Sequence, residues 1–194
     1  MESKGLVEKV RGYWLTKDAE NNIRPNQDIG LAEILNYLNA GALTDVLDFG
    51  CGHGHLAESI PPDSYLGVDI SAERIQKNSE KYPKHQWHHI NTHFDLRELS
   101  MEWGVVVLNN VLHHVHDDEI RDMLITFRLL CRRMVVATHV TEGHKFQRDK
   151  RITNWNRTLQ EYLRLFRETG WIGWDQKVVH NPHYHADFYI IHSC

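Results

Sequence analysis

The chain has 194 residues, 41% of them hydrophobic, and a formal net charge of −4, which suits one large domain and argues against broad nonspecific nucleic-acid binding. No apolar run approaches the roughly 18 residues of a membrane span, and the opening Met-Glu-Ser-Lys-Gly leads into no apolar signal-peptide region. Cys51, Cys131 and Cys194 show no paired spacing, so a reducing, cytoplasmic setting fits better than a disulfide framework.

Residues 3–14 read as a helix with Tyr13-Trp14 near its end. Pro25 opens a second helix, whose Leu31, Ile34, Leu35 and Leu38 share one face, and Gly41 closes it. A strand over Asp45–Phe49 runs into a glycine-rich turn, and a helix starts near Gly54 and stops at Pro61-Pro62. Then come a strand at Tyr65–Val68, a helix capped by Ser71 and ended before Pro83, a strand at about Gln86–Ile90 and a short helix near Leu96–Met101. Val105–Leu108 is an unbroken apolar run, the pattern of a strand buried on both faces of a parallel sheet. Asp117 is placed to cap a helix with an Ile120, Met123, Leu124, Phe127 stripe, and Met134–Thr138 is a fifth strand. Residues 139–156 form a polar connection, and Leu159, Tyr162, Leu163 and Phe166 mark a helix ended by Gly170. Two last strands, about Trp171–Val179 and Tyr184–Ile191, flank the turn Asn181-Pro182-His183 and are close enough to form an antiparallel hairpin. Strands alternating with helices imply a doubly wound α/β sheet.

Residues 46–54, Val-Leu-Asp-Phe-Gly-Cys-Gly-His-Gly, carry the most chemistry. Glycine permits positive φ and close approach of a ligand to the main chain, and a helix N-terminus behind the turn would offer N–H groups to an anionic group. Asp69 ends the second strand, 21 positions after Asp48, about where a βαβ nucleotide unit places its ribose-binding acid. The dinucleotide fingerprint is G-x-G-x-x-G, whereas Gly50, Gly52 and Gly54 give G-x-G-x-G with Asp48 two positions earlier.

That D-x-G-x-G-x-G pattern, with Asp69 and with Asn109-Asn-Val-Leu-His-His114 after the fourth strand, resembles class I S-adenosylmethionine (SAM) methyltransferases of the small single-domain type. The resemblance implies a Rossmann-like sheet, mostly parallel with an antiparallel C-terminal hairpin strand, over one domain of residues 1–194. Residues 1–40 would cap the site and 139–170 would form a substrate lid. It also implies SAM as cofactor. The loop Gly50, Cys51, Gly52 would wrap the methionine end, Asp48 would orient the loop, Asp69 would accept from the ribose hydroxyls and Ile70 would pack on adenine. Asn91 or Thr92 would meet the adenine edge, with Asp95 capping a helix, and Asn109 would reach the methionine moiety. Two departures stand out. Gly104 replaces the acid that often precedes the fourth strand, and Cys131-Arg-Arg-Met134 replaces a glycine pair before the fifth, which suggests an altered turn.

Histidine is abundant, at 15 residues, but no spacing matches a zinc motif, so no metal is assigned. By topology His113, His114, His139, His180, His183 and Tyr184 fall at strand ends, where histidine suits a general base; His113 and His139 are the candidates. Lys145, Arg148, Lys150, Arg151, Arg157, Arg164 and Arg167 make 143–170 basic, read either as a solvated face or as a lid for a phosphate or carboxylate. The residues after the fourth strand do not match the Pro-Pro-aromatic motif of exocyclic-amine enzymes, and no Pro-Cys nucleophile stands there. The expectation is methyl transfer to an O or N atom of a small, anionic molecule, with no membrane partner and with nucleic acid disfavoured. The alternatives are an RNA or protein methyltransferase, a non-catalytic methyltransferase-fold partner subunit and a nicotinamide-dependent oxidoreductase.

Overall fold

Val46-Leu-Asp-Phe49 and Val105–Leu108 have almost no polar face, so both must be covered on two sides, and they form the middle of the sheet. The computed structural model describes residues 27–42, 44–98, 102–140, 155, 157–181 and 186–193. Strand β1 (Val46–Phe49) is buried along its whole length. It runs parallel to β4 (Trp103–Asn109), with Val46 opposite Val105 and Asp48 opposite Val107. On the other side of β1 lie β2 (Tyr65–Asp69) and then β3 (Gln86–His89); beyond β4 lie β5 (Cys131–His139), β7 (Ala186–Ser193) and β6 (Trp174–Asn181). The first five strands are parallel, and β7 runs antiparallel to both β5 and β6. The chain winds outward from β1 to β3 and then returns to β4 beside β1. That reversal opens a crevice beyond the carboxyl ends of β1 and β4.

Alternation along β4 divides the core. Val106 and Leu108 join Leu47 and Phe49 against α3 (Asp117–Leu130) and α4 (Leu159–Glu168). Val105 and Val107 meet Ile34 and Leu38 of α1 (Gln27–Ala40) on the opposite face. The Ile120, Met123, Leu124, Phe127 stripe is buried as its spacing predicts. Ser71 caps α2 (Ala72–Lys81) by accepting from the Arg74 N–H.

Several local expectations are corrected. The turn after α1 takes its positive φ at Ala42, not at Gly41. Behind the glycine loop there is only a 3-10 turn, His55–Ser59; two prolines, which lack N–H donors, follow too closely for an α-helical ladder. The element after β3 is likewise a 3-10 turn, His93–Glu98. α3 is capped by His116, whose Nδ1 accepts from the Asp118 N–H at 3.1 Å, not by Asp117. No turn separates α3 from β5, since Leu130 ends the helix and Cys131 begins the strand. Arg132 and Arg133 therefore lie in β5 and not in an altered turn. Gly104 lies inside β4; its N–H donates to the Asp45 carbonyl, and a Cβ there would collide with the Thr44 carbonyl.

Residues 157–170, expected within the lid, form α4 and its flanks. Tyr162 and Phe166 are fully buried in the core, Leu165 is buried where Leu163 is only partly so, and Thr158 with Glu161 makes a capping box. The expectations for residues 3–14, Tyr13, Trp14, Pro25, Pro182, His183 and Tyr184, and for Lys145, Arg148, Lys150 and Arg151, lie outside the described residues. Among the described residues no helix is long and apolar enough to cross a membrane, and no group of three or more His, Cys, Asp or Glu side chains is placed to hold a metal.

Candidate functional site

The crevice at the β1–β4 strand ends holds a cavity of about 270 Å³. Its floor is the loop Gly50–Gly52. Gly50 has φ 72°, and a Cβ there would stand 2.7 Å from Val111 Cγ2, so only glycine fits. The Gly50 and Cys51 N–H groups both donate to the Val68 carbonyl, at 2.8 and 3.0 Å. The Gly52 N–H donates to Asp69 Oδ2 at 2.9 Å, and the Asn78 amide donates to the Gly52 carbonyl at 2.8 Å. The loop is thus built by internal bonds, and these three N–H groups are engaged. With only a 3-10 turn behind it, the floor is not the N–H cradle for an anion that the sequence led us to expect; aligned donors of that kind need a longer helix.

Among the described residues, carboxyl groups outnumber basic side chains of Lys and Arg on the lining: Asp48, Asp69 and Glu119 against Arg74. Asp48 is buried and accepts from Tyr65 Oη at 2.7 Å. Burial pushes its carboxyl up to about 7 against the pull of the Tyr65 hydroxyl, and the nearby Asp69 adds to the rise. Asp69 uses one lone pair of each oxygen, Oδ2 for Gly52 and Oδ1 for the Ser71 N–H at 2.9 Å. A carboxylate oxygen has a second lone pair, so both oxygens retain capacity toward the cavity. Burial also raises the Cys51 thiol well above its ordinary value, which makes it an inert part of the wall.

Ile70, Asn91, Thr92 and Asn109 all line the same cavity. Asp95 does not; it accepts from the Asn91 and Thr92 N–H groups at 2.7 and 3.2 Å and so shapes the turn after β3. His113 is a correction. It is buried and off the cavity, with Nδ1 3.3 Å from Thr138 Oγ1. The single 3-10 turn Leu112–His114 sends it inward and places His114 on the lining instead. His139 is the last residue of β5, opposite Phe188.

Several lining residues were not singled out from the sequence, and five of them carry polar or aromatic groups of note. Arg74 reaches the loop from α2, 3.4 Å from where a Gly52 Cβ would stand. His55 and Asn110 line the cavity with buried atoms, Nε2 and Oδ1, that find no partner among the described residues. His116 and Trp155 face it as an edge-to-face pair, ring centroids 4.9 Å apart at 79°. The signal for Asn110 is geometric: it holds a left-handed φ of 59° directly after β4, a strained conformation typical of ligand sites. Arg157, read as part of a lid for anions, is buried and turned to Asp117 and two carbonyls.

Residues 47–133 match the family described as methyltransferase domain. No curated protein matches the sequence. Several solved structures share the fold. Magnesium protoporphyrin IX methyltransferase from Synechocystis PCC 6803, with bound SAM, is 16% identical over 97% of each chain, with a TM-score of 0.69. The 1,6-didemethyltoxoflavin-N1-methyltransferase of Burkholderia thailandensis, with bound 1,6-didemethyltoxoflavin and S-adenosylhomocysteine, is 18% identical over 99% of this chain and 88% of that one, at 0.70. A SAM-dependent methyltransferase from Leishmania major is 15% identical over 99% and 84%, at 0.75. At these identities the likeness is one of fold.

Proposed function

We propose that this chain, which carries a class I SAM-dependent methyltransferase domain, transfers the methyl group of SAM to an oxygen or nitrogen atom of a small molecule. The observation that carries this reading is the combination of an engaged glycine loop with an acidic lining. A phosphate-binding loop needs free N–H donors, and here those of Gly50, Cys51 and Gly52 are engaged. A cationic sulfonium and ammonium suit a cavity bounded by Asp48 and Asp69. A pyrophosphate-bearing nicotinamide cofactor would lack those donors and is disfavoured.

The residues present fit the cofactor. Asp69, its carboxylate aimed by two backbone N–H groups, would accept from the ribose hydroxyls. Ile70 would cover one face of the adenine, with Asn91 and Thr92 at its edge. Gly50 makes room for Val111 beside the loop, Asn109 with Asn110 would take the methionine end, and Asp48, held by the Tyr65 hydroxyl, would back the loop. Bound there, SAM supplies an electrophilic methyl carbon on a good leaving group. The protein's part is alignment and exclusion of water. His114, His116 and Trp155 would form the wall nearest an acceptor. Asp118 orients the His116 ring, with its backbone N–H 3.1 Å and its carboxylate 3.3 Å from Nδ1. Arg157 is not available to attract an anion, so the reading does not specify an anionic acceptor.

Calorimetric titration with SAM and S-adenosylhomocysteine tests this. Asp69→Ala is expected to weaken both about 100-fold, since two charge-assisted bonds of about 1.5 kcal/mol each are lost. If well-folded wild-type protein binds neither, the enzyme reading fails and a non-catalytic partner of the same fold replaces it.

A further inference from the structure

The cavity wall after β4 is a loop, Asn110–His116, whose only regular structure is one 3-10 turn. Such a segment needs an external anchor to hold side chains in one geometry. A single buried side chain, Arg157, 5% exposed, supplies it. Its Nη1 donates to the Leu112 carbonyl at 2.9 Å and its Nη2 to the Val115 carbonyl at 2.8 Å. Nε and Nη2 both reach Asp117 Oδ1, at 2.9 and 2.5 Å. The main chain adds a further tie, from the Trp155 N–H to the His113 carbonyl at 2.9 Å. Arg157 directly precedes the capping box of α4, and its guanidinium lies over the Tyr162 ring, 5.8 Å from the centroid. The core helix is therefore the fixed base from which the guanidinium reaches the loop. Arg157 does not itself line the cavity, but Val111, His114, Val115 and His116, which surround the clamped carbonyls, do.

We propose that Arg157 is a positioning residue of the methyltransferase site: its guanidinium fixes the 111–116 wall, whose Val111 lies against Gly50 of the glycine loop, and so sets the affinity of the cavity for its cofactor. The inference rests on the function proposed above. Arginine suits the site because Nε, Nη1 and Nη2 each meet a different acceptor, whereas an ammonium offers its donors from a single nitrogen.

The test is S-adenosylhomocysteine binding by calorimetry to wild type, Arg157→Lys and Leu163→Ala, with thermal melts of each. Leu163 is partly buried against the core and away from the cavity, so its variant reports destabilisation alone. Arg157→Lys is expected to bind about tenfold more weakly, the loss of at least one bond to a charged donor, while Leu163→Ala lowers the melting temperature and keeps wild-type affinity. Equal affinity of folded Arg157→Lys and wild type overturns the proposal, as does a loss that Leu163→Ala reproduces. Should Arg157→Lys not fold, Asp117→Asn carries the test. That side chain is 69% exposed, and about threefold weaker binding is expected from weakening one charged contact; unchanged affinity overturns the proposal. Absence of binding by the wild type instead removes the methyltransferase reading itself.

Discussion

Asp48 makes a sharp pH prediction. Its carboxyl is buried, and its proton affinity rises from 3.8 to about 7 on folding, mainly through desolvation. A carboxyl with a raised folded value favours the fold fully below 3.8, where both states are protonated, and that contribution is lost as the pH climbs through 7. Each tenfold in proton affinity is worth about 1.4 kcal/mol. The whole effect is therefore about 4 kcal/mol, and roughly 3 kcal/mol of it falls between pH 5 and pH 8. Asp48→Asn keeps an oxygen for the Tyr65 hydroxyl and removes the titration. Whatever constant cost the extra N–H donors bring, it does not vary with pH. Urea unfolding of ligand-free wild type and variant at pH 5 and pH 8 isolates the effect, because every other titrating group cancels in the comparison. Wild type is expected to lose roughly 3 kcal/mol relative to the variant across that interval. Parallel stability profiles would refute the reasoning, since they require Asp48 to be ionised throughout and its burial to be compensated by another group.

Gly67→Ala is expected to cost about 2 kcal/mol in urea unfolding, because its Cβ would overlap the Trp87 ring and stand 3.0 Å from Tyr65 Oη in a packed face. Ser71→Ala is expected to lower stability by about 1 kcal/mol in the same assay, through loss of the α2 cap.

The sheet was legible wherever burial constrained composition. Val105–Leu108 could only be a central strand, and the α3 stripe shows on its own which face it buries. Asp48, Asp69 and the glycines were legible because a loop that turns this tightly after a strand admits few residues. Other features depend on contacts between segments distant in sequence. Periodicity does not say which of His113 and His114 faces the cavity, because one 3-10 turn can rotate either inward; Thr138 on β5 decides it. A lone arginine such as Arg157 reads as solvated until the carbonyls that surround it are known. Arg74 belongs to an ordinary polar helix face, and its approach to Gly52 shows only in the folded chain, where Asn78 of the same helix also bonds that loop. The helix expected behind the loop failed because the two prolines set a stop and the residues before it were too few for a ladder.

The crossing at Gly104 has a consequence for how this chain can change. The Thr44 carbonyl fills the space a side chain would need at Gly104, and Asp45, whose carbonyl accepts the Gly104 N–H, holds a left-handed φ of 58°. Positions 44, 45 and 104 therefore form one mutational unit. A side chain introduced at 104 alone meets a backbone atom that cannot yield, whereas a chain that first rebuilt the approach to β1 would be free to accept it. A change at 104 is thus a single substitution only on paper; structurally it asks residues 44 and 45 to change with it.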